Sequence, residues 1–415
     1  MISSFRKHGR LTSRCGALLA SVALALLQTP AYAQMSHQHA SEAACDEPAL
    51  RCASKVTSTF APDGTLWLAW MAGGQVSVAS SKDGGQTLST PVSVTKERLN
   101  LDWGPDARPK IVVGADGRIS VAFSIFRDKA FNGQVLVTRS VDGGKSFAEL
   151  KPITPNNESQ RFEALALDAD GSVFAAWLDK RNRVPVQQSG QKYEGAALFF
   201  ASSRDGGETY TEARMAKDNT CECCRLGIAF SGPGRPVVVF RNIFEGGIRD
   251  HAVMAFADPA TPGEPRRVSE DNWQIAACPH HGPSLSISAA GSYHVTWYTN
   301  GKNRKGLFYA RSRDAGVTFS DPLPIGRVDR SPSRPYVIAG AHELAMVWKE
   351  FDGEKTSVNL MTSQDDGATW SMPKVISSTS DTSDHPLLVS DGRRAYLSWM
   401  TKADGYRFQP IGNES

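Results

Sequence analysis

The sequence predicts an all-β protein, a β-propeller of four-stranded antiparallel blades, and three recurring features carry that prediction. A short run rich in β-branched and aromatic residues returns seven times, each time ending in Trp or Phe. An Asp-Gly turn often precedes the run, and a Ser-x-Asp-x-Gly-x-Thr-aromatic segment often follows it. The period of about 50 to 60 residues is too short for a separate domain and long enough for four antiparallel strands.

The chain of 415 residues opens on a segment of another kind. Arg6, Lys7, Arg10 and Arg14 form a basic start, an apolar run extends from Gly16 to Leu27, and Ala31-Tyr32-Ala33 offers small residues for cleavage. Residues 1–33 are therefore expected to be an export signal, its apolar run too short to span a bilayer, with the mature chain periplasmic or secreted. Beyond them 42 basic residues meet 43 acidic ones, which excludes a strongly basic nucleic-acid surface. A mean hydropathy of -0.32 excludes a polytopic membrane protein. Residues 34–53 read as a tail, first as a plain polar one, with Met35, His37 and His39 in a tract that also suits copper capture. Cys45 and Cys52 in that tail are expected to form a disulfide that ties down the first blade.

Residues 54–415 carry the repeats. The runs end at Trp70, Phe123, Trp177, Phe240, Trp297, Trp348 and Trp399, and turns at Asp63-Gly64, Asp116-Gly117, Asp170-Gly171 and Asp391-Gly392 lead into four of them. Near-copies of the second motif begin at Ser81, Ser140, Ser203, Ser312 and Ser363. Its Asp and hydroxyl side chains suit a self-bonded turn, and its glycines permit positive φ, so it speaks for fold rather than chemistry. The copy is missing at Asp258-Pro259-Ala260 and reduced to Asp404-Gly405 at the end.

On these segments the chain resembles the sialidase-like superfamily, whose Asp-box repeats look like them. The resemblance implies a propeller, with six blades in the enzymatic sialidases as the alternative to the seven counted here. It also implies an exo-α-sialidase-like glycosidase as one functional reading: three arginines on a substrate carboxylate, a Tyr-Glu nucleophile pair and an Asp acid. Arg108, Arg161 and Arg334 are the candidate triad, Tyr336 and Tyr406 the candidate nucleophiles, and Asp102, Glu158 and Glu163 the candidate acids. The family's Arg-Ile-Pro motif is absent, since the first blade offers Ser54-Lys55-Val56 in its place.

Aligned on the hairpin turns, the innermost strands begin near Lys55, Arg108, Arg161, Arg225, His281, Arg334 and His385. A funnel mouth rich in Arg and His reads as an anion site formed by Arg108, Arg161, Arg225, Arg334 and His385, or equally as packing at the blade entrances. Two adjacent blades break the pattern, with Cys221-Glu222-Cys223-Cys224 before Arg225 and Cys278-Pro279-His280-His281 at the matching place. Convergence of these segments would gather four thiols and two imidazoles, donors that favour Cu(I) or Zn(II) over Ca or Mg. The alternative is a pair of structural disulfides in a non-catalytic interaction propeller.

Cu(I) is preferred to zinc because of the Met- and His-rich tail and because Met71 and Met400 are expected to turn toward the same mouth. The leading expectation is thus an exported, monomeric copper-binding propeller, more carrier than enzyme. Glu222 would supply a nearby charge, and an outer-membrane transporter or metallation client would be the partner. There is no phosphate loop, Gly-x-Ser-x-Gly or His-Glu-x-x-His, and His251, His294 and His342 read as structural.

Overall fold

Each recurring run alternates side chains between two apolar interfaces, so it is buried on both faces and takes the second place in its sheet. The computed structural model, which describes residues 45–411, contains seven antiparallel sheets. The export signal at 1–33 and the residues Met35, His37 and His39 lie outside the described residues. The axis strands are Lys55–Phe60, Lys110–Val113, Gln160–Leu167, Gly227–Phe230, Ser284–Ile287, Ser333–Ala339 and Leu387–Ser390. They contact one another in succession, and the last contacts the first. The protein is therefore a seven-bladed propeller, not the six-bladed alternative. Five blades have four strands, the fourth blade adds a short fifth piece, and the seventh shows three.

Ring closure is made by side chains. Met400, Tyr406 and Phe408 of the seventh blade share an apolar cluster with Val56, Leu66, Leu68 and Trp70 of the first. Cys45 and Cys52 are disulfide-bonded and pack against the same cluster. The five tryptophans at the ends of the recurring runs are fully buried. Each indole N–H finds an acceptor: Pro48 O at 2.9 Å, Asp179 Oδ2 at 3.1 Å, Asp271 Oδ2 at 2.7 Å, Glu350 Oε1 at 2.8 Å and Asp384 O at 3.1 Å. Satisfying that donor is what allows so large a residue into the core.

The repeated turns fasten one blade to the preceding one. In the first, Ser81 Oγ donates to Asp83 Oδ1 at 2.7 Å and accepts from Gly85 N at 2.8 Å, and Thr87 Oγ1 donates to Asp83 Oδ2 at 2.5 Å. Ser140, Ser203, Ser312 and Ser363 repeat the pattern. The second glycine of the second copy, Gly144, has φ 80°, and a Cβ there would lie 2.5 Å from the Trp67 ring of the first blade. Only glycine lets the turn approach that closely.

The carboxyls of Asp83 and Asp314 are held at about 2, chiefly by the hydroxyls of Thr87 and Thr318. A carboxyl depressed in the folded state stabilises it above the unfolded pKa of about 4, and that contribution is lost as pH falls through the folded value. The melting temperature of an Asp83→Ala/Asp314→Ala variant is therefore expected to fall less steeply than wild type between pH 5 and 2. Equal slopes would show that these turns do not carry acid sensitivity.

Candidate metal centre

The outer strand of the third blade, Arg214–Thr220, must cross to the axis strand of the fourth, and Cys221 to Cys224 make that crossing. The Cys221 amide donates to the Arg241 carbonyl at 3.1 Å, which fixes the start of the turn. Cys221 Sγ lies 3.7 Å from Cys223 Sγ, which lies 3.9 Å from Cys224 Sγ. All three sulfurs fall within 4.8 Å of one another, and each residue is 1% exposed. All are free thiols, as is the half-buried Cys278. Cys278 Sγ is 3.9 Å from Glu222 Oε1, and Glu222 pairs with Lys180 at 2.5 Å.

The surroundings divide the thiols into two kinds. Cys221 is drawn well below the usual thiol range, first by hydrogen bonds from Cys223 and Cys224 and then by Arg241 and Arg249, against the opposing effect of burial. Cys223, which donates to Cys221, is pushed up, and burial pushes Cys224 up. Cys278 is drawn down chiefly by its contact with Cys223. Arg249 Nη1 donates to Cys221 Sγ at 3.5 Å and Nη2 to the Glu194 carbonyl at 2.9 Å. Arg241 stacks on Trp273 at 4.3 Å and donates to the His281 carbonyl at 2.9 Å. Three buried thiols in one turn, one of them made more acidic by its neighbours and two guanidiniums, suit a soft cation that displaces their protons.

Several expected donors lie elsewhere. His280 and His281 do not join the thiol group: His280 meets the Phe162 ring at 5.9 Å, and His281 stacks on Tyr298 at 4.2 Å. Burial, reinforced by Arg334, lowers the His281 imidazole to about 3. Met71 and Met400 do not reach the mouth either. They sit on second strands whose side chains point between blades, Met71 in an apolar cluster with Leu101 and Phe123 and Met400 in the ring-closing cluster.

The arginine ring is built around the protein's own carboxylates. Asp106 is fully buried and accepts from Arg334 Nη1 at 3.0 Å, Arg225 Nη1 at 3.3 Å, and the backbone amides of Gly282 at 2.9 Å and Arg225 at 3.2 Å. Burial would raise its pKa, but Arg334, Arg225 and the Gly282 amide together lower it. Asp384 accepts from Arg108 at 2.8 Å and lies 3.5 Å from Lys55 Nζ. Arg161 stands apart, with Nε 2.6 Å and Nη2 2.9 Å from the two Asp102 oxygens. His385, 3.4 Å from Arg225 Nη1, is held neutral by burial, so it adds no charge to an anion site. Glu163 is raised by burial against the pull of Lys110 and accepts from Ser124. Phe162, His280 and Arg334 all have positive φ, between 49° and 58°, so three blade entrances store backbone strain at this mouth.

Gly282 shows how tightly the two cysteine-bearing segments are drawn together. A Cβ there would lie 2.3 Å from Arg225 Cγ and 2.7 Å from Arg225 N. Asp106, Asp384, Arg241, Arg249 and His251 did not stand out in the sequence as site residues. The first two precede blade entrances, in Asp106-Ala107-Arg108 and Asp384-His385, and that spacing was their signal. His251 is buried beside the site, with neither ring nitrogen in a hydrogen bond of normal geometry. An Asp106→Ala variant strands two buried guanidiniums, so chemical denaturation should show a loss of about 3–5 kcal/mol. A loss below about 1 kcal/mol would mean that the pairs are dispensable.

No protein-family model and no curated protein matches the sequence. Among solved structures, the chain is similar to an ulvan lyase, a polysaccharide lyase bound to a GlcA–Rha3S oligosaccharide, with TM-score 0.56 and 10% identity over 86% of this chain and 93% of that one. It is also similar to the leech intramolecular trans-sialidase complexed with 2,7-anhydro-Neu5Ac, with TM-score 0.50 and 10% identity over 84% and 83% of the two chains. A Dyadobacter fermentans protein of unknown function gives 0.51 and 16% identity over 73% and 92%. At such identities the likeness is one of fold, and the fold of this chain is a sialidase-like β-propeller, in a seven-bladed form.

Proposed function

We propose that the protein binds copper(I) as cargo through Cys221, Cys223 and Cys224, in the oxidising exported compartment that its leader-like first residues suit. The observation that carries this reading is the group of three buried free thiols within 4.8 Å of one another beside two arginines. Trigonal thiolate coordination satisfies a soft monovalent ion. Three thiolates around Cu(I) leave two negative charges, which Arg241 and Arg249 offset, whereas divalent zinc leaves only one. Bound copper also keeps the thiols from being oxidised. The role that fits is a carrier, scavenger or metallation factor, with an outer-membrane transporter or metallation client as partner.

A sialidase-like hydrolase would need arginines free to hold a sugar carboxylate. Here Arg108, Arg225 and Arg334 are engaged with Asp384 and Asp106, and Arg161 with Asp102. The metal reading is therefore preferred.

Elemental mass spectrometry with thiol counting, on protein prepared from copper-fed cells without chelator, tests it. Near-stoichiometric copper is expected, and it should be lost in a Cys221→Ser/Cys223→Ser variant that retains the wild-type β-sheet circular dichroism. Metal-free protein with every cysteine oxidised, or zinc in place of copper, would contradict the reading.

A further inference from the structure

We propose that copper(I) reaches the buried thiols from a small zwitterionic thiol carrier docked in the cavity beside Glu222, and that Cys278 is the residue that takes the ion from it. This rests on the copper reading above and adds the form in which the cargo arrives.

Access comes first. Cys221, Cys223 and Cys224 are each 1% exposed, so a carrier's sulfur cannot meet them directly. Cys278 is only partly buried and neighbours Cys223 on one side and Glu222 on the other. It stands between solvent and the closed cluster.

A cavity of about 470 Å³ lies beside Glu222, lined by Lys192, Glu194, Glu222, Arg249, Gln274 and the Gly246-Gly247 turn, with no cysteine in its wall. Two of these wall residues also belong to the metal site, since Arg249 donates to Cys221 Sγ and Glu222 contacts Cys278. That volume suits a ligand of amino-acid to tripeptide size. The lining holds two cations, Lys192 and Arg249, and two carboxylates, Glu194 and Glu222. Lys192 and Glu194 pair with each other and Glu222 pairs with Lys180, so the wall carries paired rather than net charge. A ligand bearing both ammonium and carboxylate groups can exchange into such pairs, whereas a polyanion or a bare cation would leave a wall charge unpaired.

The transfer is a ligand exchange. The Cys278 sulfur forms a bond to copper as the carrier's sulfur–copper bond breaks, the proton given up by Cys278 passes to the departing thiolate, and copper stays monovalent throughout. A second exchange of the same kind moves the ion inward to Cys223, whose proton passes to Cys278, and Cys221 and Cys224 complete its coordination as the Cys224 proton leaves to solvent. Each step replaces one thiolate by another, so the ion is never released to water.

The test is anaerobic stopped-flow mixing of the full chain with copper(I)–glutathione, followed by thiolate-to-copper absorbance, with copper content measured at the end point. The wild-type rate should saturate with carrier concentration. Cys278→Ser should load at least about tenfold more slowly yet reach the same final copper content. An unchanged rate in Cys278→Ser would overturn the relay, and so would loss of copper at the end point, which would make Cys278 a resident ligand. A wild-type rate that rises linearly with carrier concentration would overturn docking in the cavity. If the wild-type chain takes up no copper from this carrier or from a copper(I)–acetonitrile complex, the copper reading itself fails. Uptake from the acetonitrile complex alone would overturn only the carrier.

Discussion

The carboxylate of Asp106 is the post from which the site hangs. It is fully buried, and one of its oxygens accepts the backbone amides of both Arg225 and Gly282. Cys224 immediately precedes the first of these amides, and Cys278 lies four residues before the second. A single anion on the loop before the second blade thus sets the ends of both cysteine-bearing segments, on the fourth and fifth blades. Arg334 draws in the sixth blade, and His385, 3.9 Å from Asp106, brings in the seventh. Such a group is costly to bury and is retained only where its partners are in place, so the geometry of the mouth and its charge balance are one problem. Gly282 is part of the same solution, because any side chain there would collide with Arg225.

Charge then explains why thiols suit this position. Lys55, Arg108, Lys110, Arg225, Arg334 and Lys349 interact around the mouth and outnumber the carboxylates of Asp106, Asp384 and Glu163. Burial lowers Lys349 to about 8 and also lowers Lys55, as expected where cations crowd together away from water. The anionic copper–thiolate complex proposed above would offset that excess under Arg241 and Arg249. A neutral ligand would not.

How much of this was legible in the sequence follows from what each kind of pattern encodes. The blades were, because the Trp-ending runs and the Ser-x-Asp turns are local patterns repeated often enough to count. Convergence of the Cys221–Cys224 segment toward Cys278 was legible too, since equal places in adjacent blades meet at the axis. The roles of the individual donors were not. His280 and His281 sit beside the thiols in sequence, yet the three-sulfur group includes neither imidazole, and His281 stacks on Tyr298. Met71 and Met400 were assigned to the mouth although strand alternation sends them between blades. Arg249 carries no signal in the sequence and His251 reads there as structural, because both lie on the far side of a hairpin and only the fold brings them back to Cys221.

The central claim is that three thiols of one turn hold the cargo and that the nearby imidazoles do not. X-ray absorption at the copper K-edge, on the full chain loaded anaerobically with one equivalent of copper(I), tests it most directly. A monovalent edge with a trigonal shell of sulfur alone is the predicted result. A shell containing imidazole nitrogen, or a divalent edge, would contradict it.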